Sequence, residues 1–135
     1  MKYFTIEELT KSDTATRRGI DNTPTAEVVQ NLTTLVDKVL DPLRAAWGGP
    51  IVVNSGYRSK ALNEAVGGSK TSDHMTGRAA DIEAADRTKT SNTKLFQLVQ
   101  SLGLPFDQLI DESDMSWVHV SYRSEIENRR QILKL

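Results

Sequence analysis

Two histidines and an aspartate are the residues of this sequence whose types and spacing suit a metal site. His74 and Asp81 lie seven residues apart in SDHMTGRAADIEAAD, and His119 lies in SWVHVSY. If SWVHVSY is a strand, Val118 and Val120 face one side and His119 faces the other. Two imidazole nitrogens and one carboxylate oxygen leave room for a water, which is the pattern of a catalytic zinc. The chemistry that these residues predict is metal-assisted hydrolysis.

The same residues also have a structural interpretation. The run Ala79-Ala80-Asp81-Ile82 places Asp81 in or near the core, where a carboxylate is costly unless a positive group holds it. Arg58 or Arg78 could be that partner. Each histidine taken alone is more often a structural hydrogen-bonding residue than a ligand. Spacing by itself therefore leaves both interpretations open.

Composition limits the classes of protein to which the chain can belong. Its 135 residues contain 17 Lys and Arg against 18 Asp and Glu, a net charge of −1. We expect one monomeric domain over residues 1–135. A nucleic-acid partner is not expected, because such proteins usually carry a strong basic excess. The absence of cysteine excludes disulfide scaffolds, thiolate zinc clusters and a cysteine nucleophile.

The first half of the chain is predicted to be helical. FTIEELTKS indicates one or two helical turns, and Thr23 and Pro24 suit the N-cap and first position of a longer helix. Apolar residues from Val28 to Leu43 keep one face of that helix apolar. Asp41-Pro42 is expected to end or kink it.

The second half is predicted to supply a small, largely antiparallel sheet. Strands are expected at Ile51–Val53 and in GRAADIEA, PFDQLIDE and SWVHVSY, with ESDM as a turn. Short helices are expected at 59–66, capped by Ser59, and at 90–102. The tail SEIENRRQILKL is predicted to be a helix or a docked strand end. The fold class is α+β, with the sheet carrying the metal site and packed by the N-terminal helices.

One long segment resembles a known family. The run SGYRSKALNEAVGGSKTSDHMTGRAADIEA, followed by FDQLIDE and WVHVSY, is similar to the M15 zinc peptidases. The likeness is greatest to the M15A branch of D-Ala-D-Ala carboxypeptidases and to phage- or prophage-borne murein peptidases. Its most specific motif, S-x-H-x-x-G-x-A-x-D, runs from Ser72 to Asp81. The resemblance implies a hedgehog/D-Ala-D-Ala peptidase-like fold and a Zn²⁺ cofactor held by His74, Asp81 and His119.

The resemblance is less direct about the general base. Relatives often carry a Glu three residues before the last histidine, but that position is Ser116 here. In relatives with Q-L-I-x-E before the turn, the acid falls on Glu112. Strand alternation agrees, because Glu112 would share a side with Gln108 and Ile110. Asp114, in the turn, is the competing candidate, whereas Asp111 is expected only to help solubilise the hairpin.

Two further residues are assigned by the resemblance. Arg58 matches the arginine that binds the substrate carboxylate or the developing oxyanion, a task that suits a planar cation. Ser72 is expected to bind substrate or support a ligand, with a turn-stabilising role as its alternative. The implied function is hydrolysis of peptidoglycan stem peptides, by a D-Ala-D-Ala carboxypeptidase or a murein endopeptidase. The alternatives are a non-catalytic zinc-bound module of hedgehog-like fold and an interaction domain of a phage particle.

The N-terminus predicts the route to that substrate. MKYFTIEELTKS has two Glu where a secretory signal needs an apolar stretch, and no run is long enough to span a bilayer. We therefore expect synthesis in the cytoplasm without a signal peptide, no membrane partner, and action on the cell wall after release. That route is typical of a prophage endolysin.

Overall fold

The protein is an α+β structure in which helices dominate the first half and strands the second. The computed structural model describes all residues from 1 to 135. Six α-helices, one π-helical turn, one 3-10 turn and five strands follow one another along the chain. In order they are α1 (Ile6–Thr10), α2 (Asp13–Arg18), α3 (Ala26–Leu35), the π turn (Val36–Leu40), α4 (Asp41–Trp47), β1 (Ile51–Ser55), α5 (Lys60–Ala65), the 3-10 turn (Asp73–Thr76), β2 (Ala79–Ala84), α6 (Lys89–Ser101), β3 (Gln108–Glu112), β4 (Trp117–Ser121) and β5 (Gln131–Lys134).

The five strands form one sheet in the order β1-β2-β4-β3-β5. The three pairings among β1, β2, β4 and β3 are antiparallel, as the sequence predicts. β5 instead pairs parallel to β3, so the sheet is mixed. The tail is therefore a docked strand over Gln131–Lys134, and the helical alternative for that segment is wrong.

The long helix runs past its proline. Asp41 donates its backbone N–H to the carbonyl of Val36, five residues back, which gives the wide turn of a π-helix. Such a turn accommodates Pro42, which lacks an N–H and would clash with a carbonyl in a regular α-helix. The helix continues to Trp47 and ends at Gly48, whose φ of 77° is left-handed. Of the two expected alternatives, an end or a kink at Asp41-Pro42, the end is wrong, because the helix continues through a widened turn.

The start of that helix also lies two residues beyond the predicted cap. Thr25, not Thr23, is the N-cap, and its hydroxyl accepts a hydrogen bond from Val28 N. Thr23 N instead donates to Asp21 Oδ1, which closes a local turn. Ser59 caps α5 as predicted, and α6 begins at Lys89, one residue before its predicted start.

One face of the sheet is the core and the other is free for chemistry. Helices α3, α4 and α6 pack on the core face, where Ile82, Val118 and Val120 are fully buried. Because side chains alternate along a strand, Asp81 and His119 point to the opposite face. None of the helices has the length and apolar character of a membrane span.

A buried carboxylate fastens the C-terminal segment to β3. Asp107 is fully buried and accepts hydrogen bonds from Arg129 N, Nε and Nη2 at 2.8–3.0 Å, and Arg123 Nε lies 3.3 Å away. Burial alone would raise the pKa of Asp107, but the hydrogen bonds from Arg129 and the charge of Arg123 outweigh it and hold the pKa below its usual range.

Replacing this carboxylate is expected to destabilise the protein. Asp107→Ala should lower the free energy of unfolding by about 2–3 kcal/mol, because charged hydrogen bonds are lost and the guanidinium of Arg129 is left without its acceptor. The contribution of Asp107 is fully present above the unfolded-state pKa of about 3.9 and disappears as the pH falls through the lower folded-state value. Urea unfolding at pH 7 and across the acid range measures both effects. The exposed Asp114→Asn is the control, and equal stability of the two variants would contradict the prediction.

Candidate active site

Three side chains from two strands and a turn meet on the open face of the sheet. Asp81 on β2 lies directly across from His119 on β4, and His74 comes from the 3-10 turn. Asp81 Oδ1 is 3.0 Å from His119 Nδ1 and 3.3 Å from His74 Nε2. One nitrogen or oxygen of each residue lies within 4.8 Å of those of the other two. We call His74, Asp81 and His119 the ligand triad.

The orientation of His74 is set by the backbone. Its Nδ1 lies 2.7 Å from the carbonyl oxygen of Gly56, and the side chain is buried. A carbonyl accepts, so Nδ1 donates to Gly56, and Nε2 is the ring nitrogen directed toward Asp81. Gly56 is itself held against α1: Tyr57 N donates to Leu9 O at 2.8 Å, and a Cβ on Gly56 would overlap that carbonyl. The first helix therefore positions a residue of the triad.

Asp81 is held by imidazoles rather than by an arginine. Burial alone would raise the pKa of Asp81, but hydrogen bonds from His119 and His74 outweigh it and bring the pKa far below its usual range. Neither Arg58 nor Arg78 lies within 4.0 Å of this carboxylate, whose ion pairs are with the two histidines. The alternative of a structural Asp–Arg pair is therefore wrong.

The donor set fits a zinc ion. Two imidazole nitrogens and one carboxylate oxygen converge, and one imidazole is already oriented by a carbonyl at its other nitrogen. Three protein ligands with a free fourth position are typical of catalytic rather than structural zinc sites. The arrangement can hold a metal and leave one of its positions for a reacting molecule.

Glu112 lies on the same face as the ligand triad. A cavity of about 650 Å³, which we call the cleft, is lined by the triad together with Glu112, Arg58 and Ser72. Glu112 on β3 lies opposite Trp117 on β4. Trp117 is two residues from His119, so the side chains of Glu112 and His119 point to the same face of the sheet. Burial, followed by the negative charge of Asp81, raises the pKa of Glu112 above its ordinary value. A carboxylate with a raised pKa beside such a triad is suited to accept and return a proton.

The neighbouring acids have other roles. Asp114 is largely exposed, lies outside the cleft and forms an ion pair with Lys89 at 3.3 Å. Asp111 points to the opposite side of β3, is buried, and accepts a hydrogen bond from Met115 N at 2.7 Å. The expectation that Asp111 merely solubilises the hairpin is therefore wrong, because it closes the turn from inside.

Arg58 is a half-buried cation at the end of the cleft. Burial lowers the pKa of Arg58, and the charge of Asp81 opposes that effect. The guanidinium takes part in no salt bridge, and its buried Nε has no hydrogen-bond partner. Its position is bounded by Gly68, where a Cβ would overlap Asn63 Oδ1 and lie 3.2 Å from Arg58 Nη1. An unpaired arginine beside the triad is available for an anionic or developing negative group.

Ser72 stabilises the turn that carries His74. Its Oγ accepts a hydrogen bond from His74 N at 3.2 Å, as the N-cap of the 3-10 turn. This contact matches the turn-stabilising alternative, although Ser72 also lines the cleft. Sequence reasoning missed Asn63, whose Nδ2 donates to Ser69 O and ties the loop over Arg58. The sequence signal for that loop is the pair Gly67-Gly68 after α5.

Comparisons with known proteins show the family of this chain. A model of a family described as Peptidase M15 matches residues 2–121. The zinc D-Ala-D-Ala carboxypeptidase of Streptomyces albus G is 47% identical over 49 residues, a match that covers 36% of this chain and 19% of that protein. The aligned segment thus spans about a fifth of the relative's length. Because the family model covers most of the sequence, the chain belongs to the peptidase M15 family.

Proposed function

We propose that this protein hydrolyses the stem peptides of peptidoglycan with the help of zinc. The observation that carries the proposal is the shared cleft, in which the ligand triad, Glu112 and Arg58 line one cavity. The relative from Streptomyces albus G is named for its action on D-Ala-D-Ala, which supports a wall peptide as the substrate class. An endolysin role and release from the cytoplasm stay predictions from the sequence.

His74, Asp81 and His119 would hold the zinc, which when bound polarises a scissile carbonyl and lowers the pKa of water to about 7. Glu112 would accept a proton from the attacking water and deliver it to the leaving amine. Its partial burial keeps the carboxylate poorly solvated, so the proton is taken up and returned readily. Within this reaction Glu112 is the proton carrier of the protein.

Arg58 would supply the positive charge of the reaction. Its guanidinium has no competing carboxylate partner within the protein and lies at the cleft. A planar fork of N–H groups can bind a substrate carboxylate or the oxyanion that develops during attack. Ser72 is proposed as a secondary contact, through the hydroxyl hydrogen that its turn does not use.

The alternative of a non-catalytic zinc-bound module is disfavoured by Glu112. A module that only binds zinc has no need of a carboxylate with a raised pKa on the face of the triad. Hydrolysis that is lost on chelation and restored by zinc would separate the two functions. Intact binding with no turnover would favour the module.

The experiment that tests the proposed function is mass spectrometry of purified muropeptides after digestion. We expect new peptide fragments that appear with the zinc-loaded protein and are absent with chelator. The masses identify the bond, since loss of one terminal D-Ala and cleavage inside the stem give different products. Unchanged muropeptides at high enzyme concentration, with stoichiometric zinc bound, would overturn the proposal.

The contact at Gly68 predicts a selective loss of activity. Gly68→Ala adds a Cβ that overlaps Asn63 Oδ1 and crowds Arg58 Nη1, so Asn63 and the guanidinium must shift from their observed positions. We expect kcat/KM on muropeptides to fall about tenfold, the scale of one charge-assisted hydrogen bond, while zinc content stays the same. Gly49→Ala, where a Cβ meets nothing closer than 3.9 Å, is the matched control. Parent-like kinetics of Gly68→Ala would show that Arg58 does not need its observed position.

A further inference from the structure

A second cavity lies along the open edge of the sheet. β1 pairs with β2 on one side only, and a cavity of about 910 Å³ borders its other side. Every residue from Pro50 to Ser55 lines this cavity, which we call the edge groove. Because successive side chains of a strand point to opposite faces, a cavity that contacts all of them runs along the strand edge. Glu8 and Lys11 of the first helical segment form the opposite wall.

The hydrogen-bond pattern shows which groups of β1 face the edge groove. In an antiparallel pair, alternate residues direct their N–H and C=O toward the partner, and the residues between direct them away. Ala85 N donates to Pro50 O, so Pro50 faces β2 and, two residues on, Val52 does as well. Ile51 and Val53 therefore direct their N–H and C=O outward.

The hydrogen bonds of β2 are consistent with this alternation along β1. Ala84, opposite Ile51, donates its N–H to Asn92 Oδ1 rather than to β1. Val53 lies opposite Ile82, two residues along from the pair Ile51–Ala84, so Val53 also directs its N–H and C=O away from β2. Its side chain packs against the core, so its backbone is held in place while its N–H and C=O are unpaired within the sheet.

The edge groove is continuous with the cleft. Arg58, Val66 and Asp81 line both cavities. A path therefore leads from the β3–β4 face, past the ligand triad and Arg58, onto the outer edge of β1. In a site that accepts only a C-terminal residue, the cavity would end at the cation that binds the terminal carboxylate. Here the path continues beyond Arg58.

We propose that the edge groove binds the segment of the peptide substrate that lies on the Arg58 side of the scissile bond, paired in extended form with Val53. The substrate then continues on both sides of the scissile bond, and the enzyme is an endopeptidase rather than a carboxypeptidase. Pairing of a peptide with an open strand edge uses main-chain hydrogen bonds, which an edge residue with a free N–H and C=O supplies. One edge residue contacts only one substrate residue and recognises its backbone, so a D-residue is acceptable there. This inference rests on the proposed function.

The test compares synthetic stem peptides that span the bond identified by mass spectrometry. The segment on each side is lengthened separately from one residue to three. For the parent enzyme, lengthening on one side should raise kcat/KM by about three- to tenfold, the value of one or two added hydrogen bonds. Val53→Pro removes the outward N–H without removing a bond to β2 and should abolish the gain. Val53→Ala, which shortens the side chain but keeps the N–H, should retain the gain.

Zinc content and melting temperature establish whether each variant is folded. If Val53→Pro does not fold, N-methylation of the substrate amides on the extended side tests the same contact with the parent enzyme, and should cost the same gain. Equal kcat/KM for all lengths, preferred release of one terminal residue, or a Val53→Pro variant that keeps the gain would overturn the inference. In each of those cases the parent still hydrolyses stem peptides, whereas failure of the proposed function itself gives no hydrolysis of any peptide.

Discussion

Glu112→Gln is expected to keep the fold and the zinc of this protein but to lose about 10²–10⁴-fold in kcat, the usual contribution of a general base. Glutamine preserves the size and the hydrogen-bonding oxygen of the side chain, but it accepts no proton at neutral pH. Glu112 lies on a strand end whose pairing with Trp117 sets its direction toward the cleft. Steady-state kinetics on muropeptides, with metal analysis of the same samples, measures the effect.

Asp114→Asn is the matched control for this prediction. Asp114 is a second carboxylate of the same hairpin, largely exposed and paired with Lys89. Removing an exposed ion pair costs little, so we expect parent-like kinetics and stability. A reversed pair of results, with Asp114→Asn inactive and Glu112→Gln active, would assign the base to the turn.

The second large effect is expected from His119→Ala. Loss of one of three ligands should abolish stoichiometric zinc binding, and kcat/KM should fall by about 10³-fold or more, because the metal supplies several kcal/mol of transition-state stabilisation. Metal analysis after reloading with zinc should give near one zinc per chain for the parent and far less for the variant. Thr71→Ala alters another residue that lines the cleft and should keep its zinc. Stoichiometric zinc in His119→Ala would mean that the ligands are a different set.

The parts of the site that could be predicted from sequence are those set by local periodicity. Alternation along SWVHVSY separates His119 from Val118 and Val120, and the same rule places Glu112 on the side of Ile110. Because side chains alternate between the two faces of a strand, knowing which residues are buried fixes the face of every other residue in that strand. The face of the sheet on which each of these side chains lies therefore follows from the sequence alone.

The parts that could not be predicted depend on contacts between distant segments. Gly56 orients His74 only because Leu9 holds the backbone beside it, and no local pattern reports such a contact. The tail becomes a strand because Asp107 binds Arg129 and leads the chain beside β3, whereas its sequence alone suits a helix equally well. The cap of α3 does not follow from the sequence, because Thr23 and Thr25 are equally good caps and the turn made by Asp21 decides between them.

The wide separation of the ligand triad along the chain has a thermodynamic consequence. His74, Asp81 and His119 lie up to 45 residues apart, and they meet only when the 3-10 turn and strands β2 and β4 are assembled. An unfolded chain offers no such set, so zinc binds the folded state almost exclusively. Each tenfold rise in free zinc above the dissociation constant then adds about 1.4 kcal/mol to the free energy of unfolding. The melting temperature of this protein is therefore defined only at a stated free zinc concentration, and a chelator is expected to act on it as a mild denaturant.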